Sequence, residues 1–186
     1  MKIYEYKNYD DYISAQVDAN VKKIDNVWVQ ETTVNKIKSI KQAANIILCH
    51  GTRNGAELKL FKKYYPTASI TGTEISHTAT KFANTIQHDF HEELPNMLGK
   101  CDIIYSNSFD HSYDPNKCLS TWINQLNESG LLFIELIPPG KVKRSDPLTI
   151  STNEVVELVN KNSGKVNQVY TINSKAGALS LFVIER

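Results

Sequence analysis

Four places along the chain carry side chains whose types and spacing could do chemistry. The first is Cys49–Gly55 (CHGTRNG), where Gly51 and Gly55 bracket Thr52, Arg53 and Asn54 between an apolar run and an amphipathic one. A tight strand-to-helix turn of this kind lets backbone N–H groups approach a ligand, and the helix N-terminus that follows favours an anion. The second is Glu74, followed by Ile75, at the end of the segment ASITGTE. It stands near the roughly 20-residue spacing from a glycine turn at which an acid accepts hydrogen bonds from ribose hydroxyls. The third is Asp89 with Phe90, closing IQHDF. The fourth is Ser106 and Asn107 leading into Asp110, His111 and Tyr113, where a carboxylate and an imidazole side by side could take a proton from a hydroxyl.

Elements able to position these groups can be read from periodicity. Tyr12, Ile13, Val17, Val21 and Ile24 fall at helical spacing over Tyr9–Ile24, and a second helix is expected over roughly Thr32–Ala44. Strand and helix then alternate: a strand over Ile46–Cys49, a helix over Ala56–Tyr65 ended by Pro66, a strand ending at Glu74, a helix from a Ser76 cap through Asn84, and a short strand in IQHDF. CDIIYSN is a fourth strand, built on a continuous apolar run of the kind a parallel sheet buries on both faces. Asp114 and Pro115 open a helix carrying Leu119, Trp122, Ile123 and Leu126 up to a turn, NESG. GLLFIEL is a fifth strand, IPPGKVKRSDPLTI a loop, and Ser151 with Glu154 a capping box for a helix over Val155–Val159. KVNQVYTI and ALSLFVIER, joined by NSKAG, suit a closing hairpin. This alternation predicts an α/β sandwich with a mostly parallel sheet, whose ligands bind at the carboxyl ends of the strands.

Composition bounds the function. The chain has 186 residues, enough for one domain with a sizeable core, with 22% charged and 41% hydrophobic residues. A net charge of +1 gives no overall field for nucleic acid or a membrane surface. Cys49, Cys101 and Cys118 form no CxxC pair, which argues against a disulfide framework and a zinc site and suits the cytoplasm. No signal-peptide core or membrane-length apolar run is present, and no metal is expected.

Taken in order, ILCHGTRNG, ITGTEIS, QHDFHEELP, CDIIYSNSFDHSYDP and ESGLLFIEL resemble the successive motifs of Rossmann-like (class I) S-adenosylmethionine-dependent methyltransferases, in particular their small-molecule branch. The likeness runs from about Asn45 to Arg186. It implies a three-layer sandwich around a mostly parallel seven-stranded sheet, with one antiparallel strand from the C-terminal hairpin. Residues 45–186 would form the methyltransferase domain and residues 1–44 a helical preface covering the substrate, with Tyr9, Tyr12, Gln16 and Trp28 available to touch it.

The resemblance implies S-adenosylmethionine as cofactor, held by Gly51, Thr52, Arg53, Asn54, Gly55, Glu74, Ile75, Asp89, Phe90, Ser106 and Asn107. Asp89 would accept from the adenine amino group, and Asp110 and His111 are the candidate catalytic residues. The acceptor would be a small molecule or saccharide. Two departures from the family pattern stand at the cofactor: Cys49 replaces an acid that helps seat the methionine ammonium, and Arg53 replaces the middle glycine. The Arg53 guanidinium either pairs with the cofactor's carboxylate or balances Glu57 at the helix start. His50 reads as a core histidine bonded to a neighbour.

Amino-methylating DNA enzymes carry a pair of prolines between the positions of Ser106 and Phe109; here both are missing, so nucleic acid is disfavoured. Lys141, Lys143 and Arg144 would steer an anionic substrate or form a solvated charge run. A non-catalytic binding or scaffold protein of this fold is the main alternative, and a nicotinamide oxidoreductase a weaker one.

Overall fold

The computed structural model describes every residue except 175 and 176, so part of the NSKAG turn lies outside the described residues. Nine strands and five α-helices follow in the order β1 (Lys2–Ile3), α1 (Tyr9–Lys22), α2 (Glu31–Ile40), β2 (Ile46–His50), α3 (Ala56–Tyr64), β3 (Ser69–Glu74), β4 (Thr85–Gln87), β5 (Cys101–Ser106), α4 (Pro115–Gln125), β6 (Leu126–Leu136), β7 (Leu148–Thr149), α5 (Thr152–Lys161), β8 (Lys165–Ser174) and β9 (Gly177–Glu185). The main sheet has seven strands in the order β4-β3-β2-β5-β6-β9-β8. Pairing is parallel from β4 to β6, and β9 runs antiparallel to both β6 and β8. This is the expected Rossmann-like sandwich. From β2 the chain runs outward to β3 and β4, then returns to β5 on the other side, so the strand order switches between β2 and β5 and opens a crevice at their carboxyl ends.

Period-two alternation explains the layers. Ile47, Cys49, Ile103, Tyr105, Phe133, Leu181 and Val183 face one side, where α2 and α3 bring Val34, Ile37, Leu58 and Phe61. Leu48, Ile104, Leu132, Ile134, Phe182 and Ile184 face the other, against Leu119, Trp122 and Ile123 of α4 and Val155 and Val159 of α5. Helix α2 is thus a layer of the sandwich, whereas α1 lies over the crevice. Asp102 fixes the lower end of β2, its Oδ2 accepting from the Asn45 and Ile46 amides at 2.7 and 2.9 Å.

Local signals were followed closely where capping chemistry was explicit. Asp114 accepts from the Lys117 amide at 3.0 Å, and the Ser151–Glu154 capping box forms in full. Elsewhere tertiary context wins. Helix α2 stops at Ile40, short of Ala44, because the Lys41 carbonyl is taken by the Tyr65 hydroxyl at 2.6 Å. The helix expected over 76–84 is only a 3₁₀ turn, His77–Lys81, since Asn84 adopts a left-handed φ of 58° and delivers the chain into β4. β6 begins at Leu126, so NESG lies within an irregular stretch of the strand, where the register against β5 shifts between Cys101 and Ile103. The loop after β6 contains β7, which pairs antiparallel with β1. No described helix is long and apolar enough to cross a membrane.

Candidate functional site

The glycine turn is shaped by the strand ends beside it. Gly51 has φ +71°, and a Cβ placed there would lie 2.6 Å from Ser108 Cβ, so glycine is needed because the loop after β5 closes on this turn. Ser108 Oγ donates to the Gly51 carbonyl at 3.1 Å, and the Thr52 amide donates to Thr73 O at 2.9 Å. Arg53 takes a left-handed φ of 45°, a conformation uncommon for a residue with a side chain. Its amide donates to Glu74 Oε2 at 2.9 Å, while Glu74 Oε1 accepts from the Ser76 amide at 3.0 Å. The Glu74 carboxylate therefore bridges the glycine turn and the turn after β3. Gly55 (φ 69°) caps α3. Asn54 donates to the Ile24 carbonyl at 2.7 Å and so ties the segment after α1 to the turn.

Arg53 does not pair with Glu57. Its guanidinium makes no hydrogen bond or salt bridge among the described residues. Burial pulls its pKa down, against the charges of Glu74, Glu57, Asp146 and Asp110 around it. Glu57 itself is buried; Oε1 accepts a long 3.5 Å hydrogen bond from Asn107 Nδ2, and Oε2 has no partner. Burial pushes the Glu57 carboxyl up to about 7. Helix position alone did not mark this residue, since a glutamate in a first turn is ordinarily a solvated partner of the helix dipole.

Two spaces meet at Arg53. A narrow one, about 40 Å³, lies between Gly51, Glu74, Ile75, Asp89 and Phe90 below and Tyr12, Gln16, Ala19 and Asn20 of α1 above. A larger one, about 540 Å³, is lined by Trp28, Glu57, Asn107, Asp110, His111, Lys141, Lys143 and Asp146 and by an apolar wall including Leu136, Leu148 and Ile150. Gly51, Arg53, Ser108 and His111 border both. Of the expected substrate residues, Trp28 thus lines the larger cavity, while Tyr12 and Gln16 close the narrow one. Thr52 and Ser106 are buried beneath the site, Ser106 Oγ donating to the His50 carbonyl at 3.1 Å.

Asp89 is held from both sides. Its Oδ1 accepts from the His91 amide at 3.0 Å and lies 2.6 Å from His91 Nδ1, and His91 Nε2 lies 2.8 Å from Ser112 Oγ. Ser112, His91 and Asp89 follow the order of a nucleophilic relay, but His91 and Ser112 are wholly buried, so the chain orients a carboxylate and meets no substrate. Burial pushes the Asp89 carboxyl up; the hydrogen bonds and charge of His91 outweigh it, and the net shift is down. Asp89 Oδ2, facing α1, accepts from the Tyr9 hydroxyl at 2.7 Å.

On the other side, His111 Nδ1 lies 2.9 Å from Gln16 Oε1. Gln16 Nε2 donates to the Tyr6 hydroxyl at 3.3 Å, which leaves Oε1 to accept and assigns the hydrogen to Nδ1. His111 Nε2 points the other way, 3.7 Å from Asp146 Oδ1 and 4.0 Å from Asp110 Oδ1. Asp110 Oδ1 has no hydrogen-bond partner, and burial pushes this carboxyl up. Atoms of Asp110, His111 and Asp146 lie within 4.8 Å of one another, close enough for a cation, although Lys143 Nζ already pairs with Asp146 at 2.6 Å. Asp146 was not singled out in the sequence, because it belongs to a loop distant from the motifs. His50 is a core residue as expected, bonded to Thr73 Oγ1 and Gln125 Oε1 at 2.9 Å each and stacked on Trp122; burial lowers it to about 3.

As a sequence the chain matches no protein-family model and no curated protein. As a structure it is similar to 1,6-didemethyltoxoflavin-N1-methyltransferase of Burkholderia thailandensis, solved with 1,6-didemethyltoxoflavin and S-adenosylhomocysteine bound, at a TM-score of 0.75 and 14% identity over 98% of this chain and 92% of that one. The chain has the class I methyltransferase fold. Magnesium protoporphyrin IX methyltransferase of Synechocystis, solved with S-adenosylmethionine, shares this fold at a TM-score of 0.66 and 11% identity, over 98% of this chain and all (100%) of that one. The cyclase SpnF shares it too, at 0.72 and 8% identity over 99% and 97% of the two chains. The methyltransferase fold therefore positions the site, and the site's own residues must argue the reaction.

Proposed function

We propose that the chain is an S-adenosylmethionine-dependent methyltransferase acting on a small-molecule or saccharide-type acceptor in the cytoplasm. The observation that carries this is the convergence of Gly51, Arg53, Glu74, Asp89 and Phe90 around one cleft at the β2–β5 switch point, opening beside Asp110 and His111 into a 540 Å³ cavity. The donor set suits the cofactor: a strand-end carboxylate for ribose hydroxyls, an aromatic wall and a second carboxylate for the base, and an unpaired guanidinium for a carboxylate. The space on the nucleoside side, about 40 Å³, is far below the roughly 300 Å³ at which small-molecule pockets begin, so a nucleoside enters only with α1 lifted from the cleft.

When bound, S-adenosylmethionine supplies a sulfonium methyl for in-line displacement. The chain's residues do the rest. Glu74, pinned by two backbone amides, offers its remaining lone pairs to the ribose. Asp89, aimed by His91, takes the base once Tyr9 withdraws. His111 Nε2 or the Asp110 carboxylate takes the proton of an acceptor hydroxyl in the larger cavity, and α1 above the cleft excludes water. Trp28 on the cavity wall gives a sugar ring or an aromatic acceptor a flat face to stack on.

Isothermal titration with S-adenosylmethionine, S-adenosylhomocysteine and NAD tests the assignment. Micromolar binding of the two sulfur compounds, weakened at least tenfold in Glu74→Gln, supports it. Failure of both to bind refutes it, and NAD binding in their place supports an oxidoreductase. A non-catalytic binding protein is the second reading, favoured by the buried Cys49 and by Arg53 at the glycine turn; it predicts binding without turnover across a panel of hydroxylated acceptors.

A further inference from the structure

We propose that Arg53 and Glu57 together form a recognition site for an α-amino-acid group, the guanidinium taking its carboxylate and the Glu57 carboxylate its ammonium. The inference rests on the cofactor reading, since the methionyl end of S-adenosylmethionine is such a group. It goes further in assigning the ammonium to a residue outside the expected set.

Both side chains line the larger cavity and each feels the other's charge, yet no hydrogen bond or salt bridge joins them among the described residues. Arg53 precedes α3 in a left-handed conformation with its amide tied to Glu74, so the i to i+4 geometry of a helix does not bring its side chain onto Glu57. Each is thus left with unused capacity: a guanidinium without an acceptor, and a buried Oε2 without a donor. Charge logic narrows the ligand. A simple anion would meet Glu57, and a simple cation would meet Arg53. A group bearing both charges a few ångströms apart satisfies both at once.

The strand below explains why the acid sits on a helix. Cys49 is fully buried, and its thiol is pushed well up by burial and next by the charge of Glu57, which places that carboxylate near the end of β2. From α3, Glu57 reaches the region that an acid at position 49 would serve. Arg53, Glu74, Cys49 and Tyr105 are the ionisable groups acting on it, and burial outweighs the opposing Arg53 charge. A carboxyl poised near neutrality must shed its proton to receive an ammonium, so binding below pH 7 releases a proton.

The test compares S-adenosylhomocysteine with 5′-methylthioadenosine, which lacks the amino-acid group, by isothermal titration at pH 6.5 in two buffers of different ionisation enthalpy. Wild type, Arg53→Ala and Glu57→Gln are used, each checked for folding by thermal melting. The expected result is a tenfold or greater loss for S-adenosylhomocysteine in both variants and less than twofold for methylthioadenosine. Proton release should accompany S-adenosylhomocysteine in wild type and vanish in Glu57→Gln. Equal weakening of both ligands, unchanged affinity, or no proton release would overturn the proposal. Wild type binding methylthioadenosine as tightly as S-adenosylhomocysteine would overturn the clamp while keeping the nucleoside site; binding neither would sink the cofactor reading with it.

Discussion

Replacing Tyr9 by phenylalanine removes one hydroxyl and with it the 2.7 Å hydrogen bond to Asp89 Oδ2. A hydrogen bond to a charged group contributes about 1.5–3 kcal/mol when buried. Tyr9 is 44% exposed, so water competes and about 1 kcal/mol is the fitting figure, close to fivefold in an equilibrium constant. On the proposed cofactor site, the space beneath α1 is about 40 Å³, too small for a nucleoside unless α1 lifts. Apparent affinity is then the intrinsic affinity scaled by the open fraction, and a closure weakened fivefold raises it by about fivefold. Tyr9→Phe should therefore bind 5′-methylthioadenosine about fivefold more tightly while melting roughly 2–4 °C lower. Titration calorimetry measures the first, and hydrogen exchange across α1 should show faster amide opening in the variant. Lower or unchanged affinity, in a variant that melts earlier and exchanges faster, would show that the nucleoside and Tyr9 do not compete for Asp89.

Three further predictions follow from the same geometry. Gly51→Ala places a methyl 2.6 Å from Ser108 Cβ at φ +71° and should cost about 1–3 kcal/mol in urea unfolding; adding Ser108→Gly should recover the steric part but not the backbone part. For Glu57 the folded pKa of about 7 lies above the unfolded 4.5, so the folded state holds the extra proton between them and the carboxyl costs stability as pH rises through that window. Glu57→Gln should accordingly melt higher than wild type at pH 8, by up to about 3 kcal/mol, with the gap closing towards pH 4.5; a pH-independent gap would contradict the burial argument. Of Asp110→Asn and His111→Gln, the one that removes the base should lower kcat on a hydroxyl acceptor by about 10²–10⁴ while shifting S-adenosylhomocysteine affinity less than threefold; a change confined to affinity in both would remove both from proton transfer.

What the sequence disclosed divides along the range of the interactions involved. Asp114–Pro115 and the Ser151–Glu154 box announce their helices because capping is settled within four residues. The apolar runs of β5 and β6 announce a buried sheet for the same local reason. β1 and β7 could not be read, since Lys2 and Ile3 become a strand only by meeting Thr149 and Leu148 from the far end of the chain. The 3₁₀ turn after Ser76 failed as a helix because Asn84 leaves helical space to supply β4. At the site, the positions of Glu74, Asp89 and the glycine turn were legible from order and spacing. The occupation of Asp89 by Tyr9 and His91, and the lack of a direct salt bridge between Arg53 and Glu57, depend on how separate elements pack.

The three buried thiols offer an internal clock for motion in this molecule. Cys49 lies in the layer beneath α2 and α3, Cys101 in the layer beneath α4 and α5, and Cys118 on the buried face of α4 itself, none with any exposed surface. An alkylating reagent reaches each only when its own side of the sandwich opens, so labelling rates resolved by mass spectrometry report the two halves separately and without introduced probes. Cys118 stands near enough to the buried Tyr12 of α1 for their charges to interact, so lifting of α1 should register there first, whereas a ligand-induced change in Cys49 labelling would reveal that movement at the cleft extends down into the sheet.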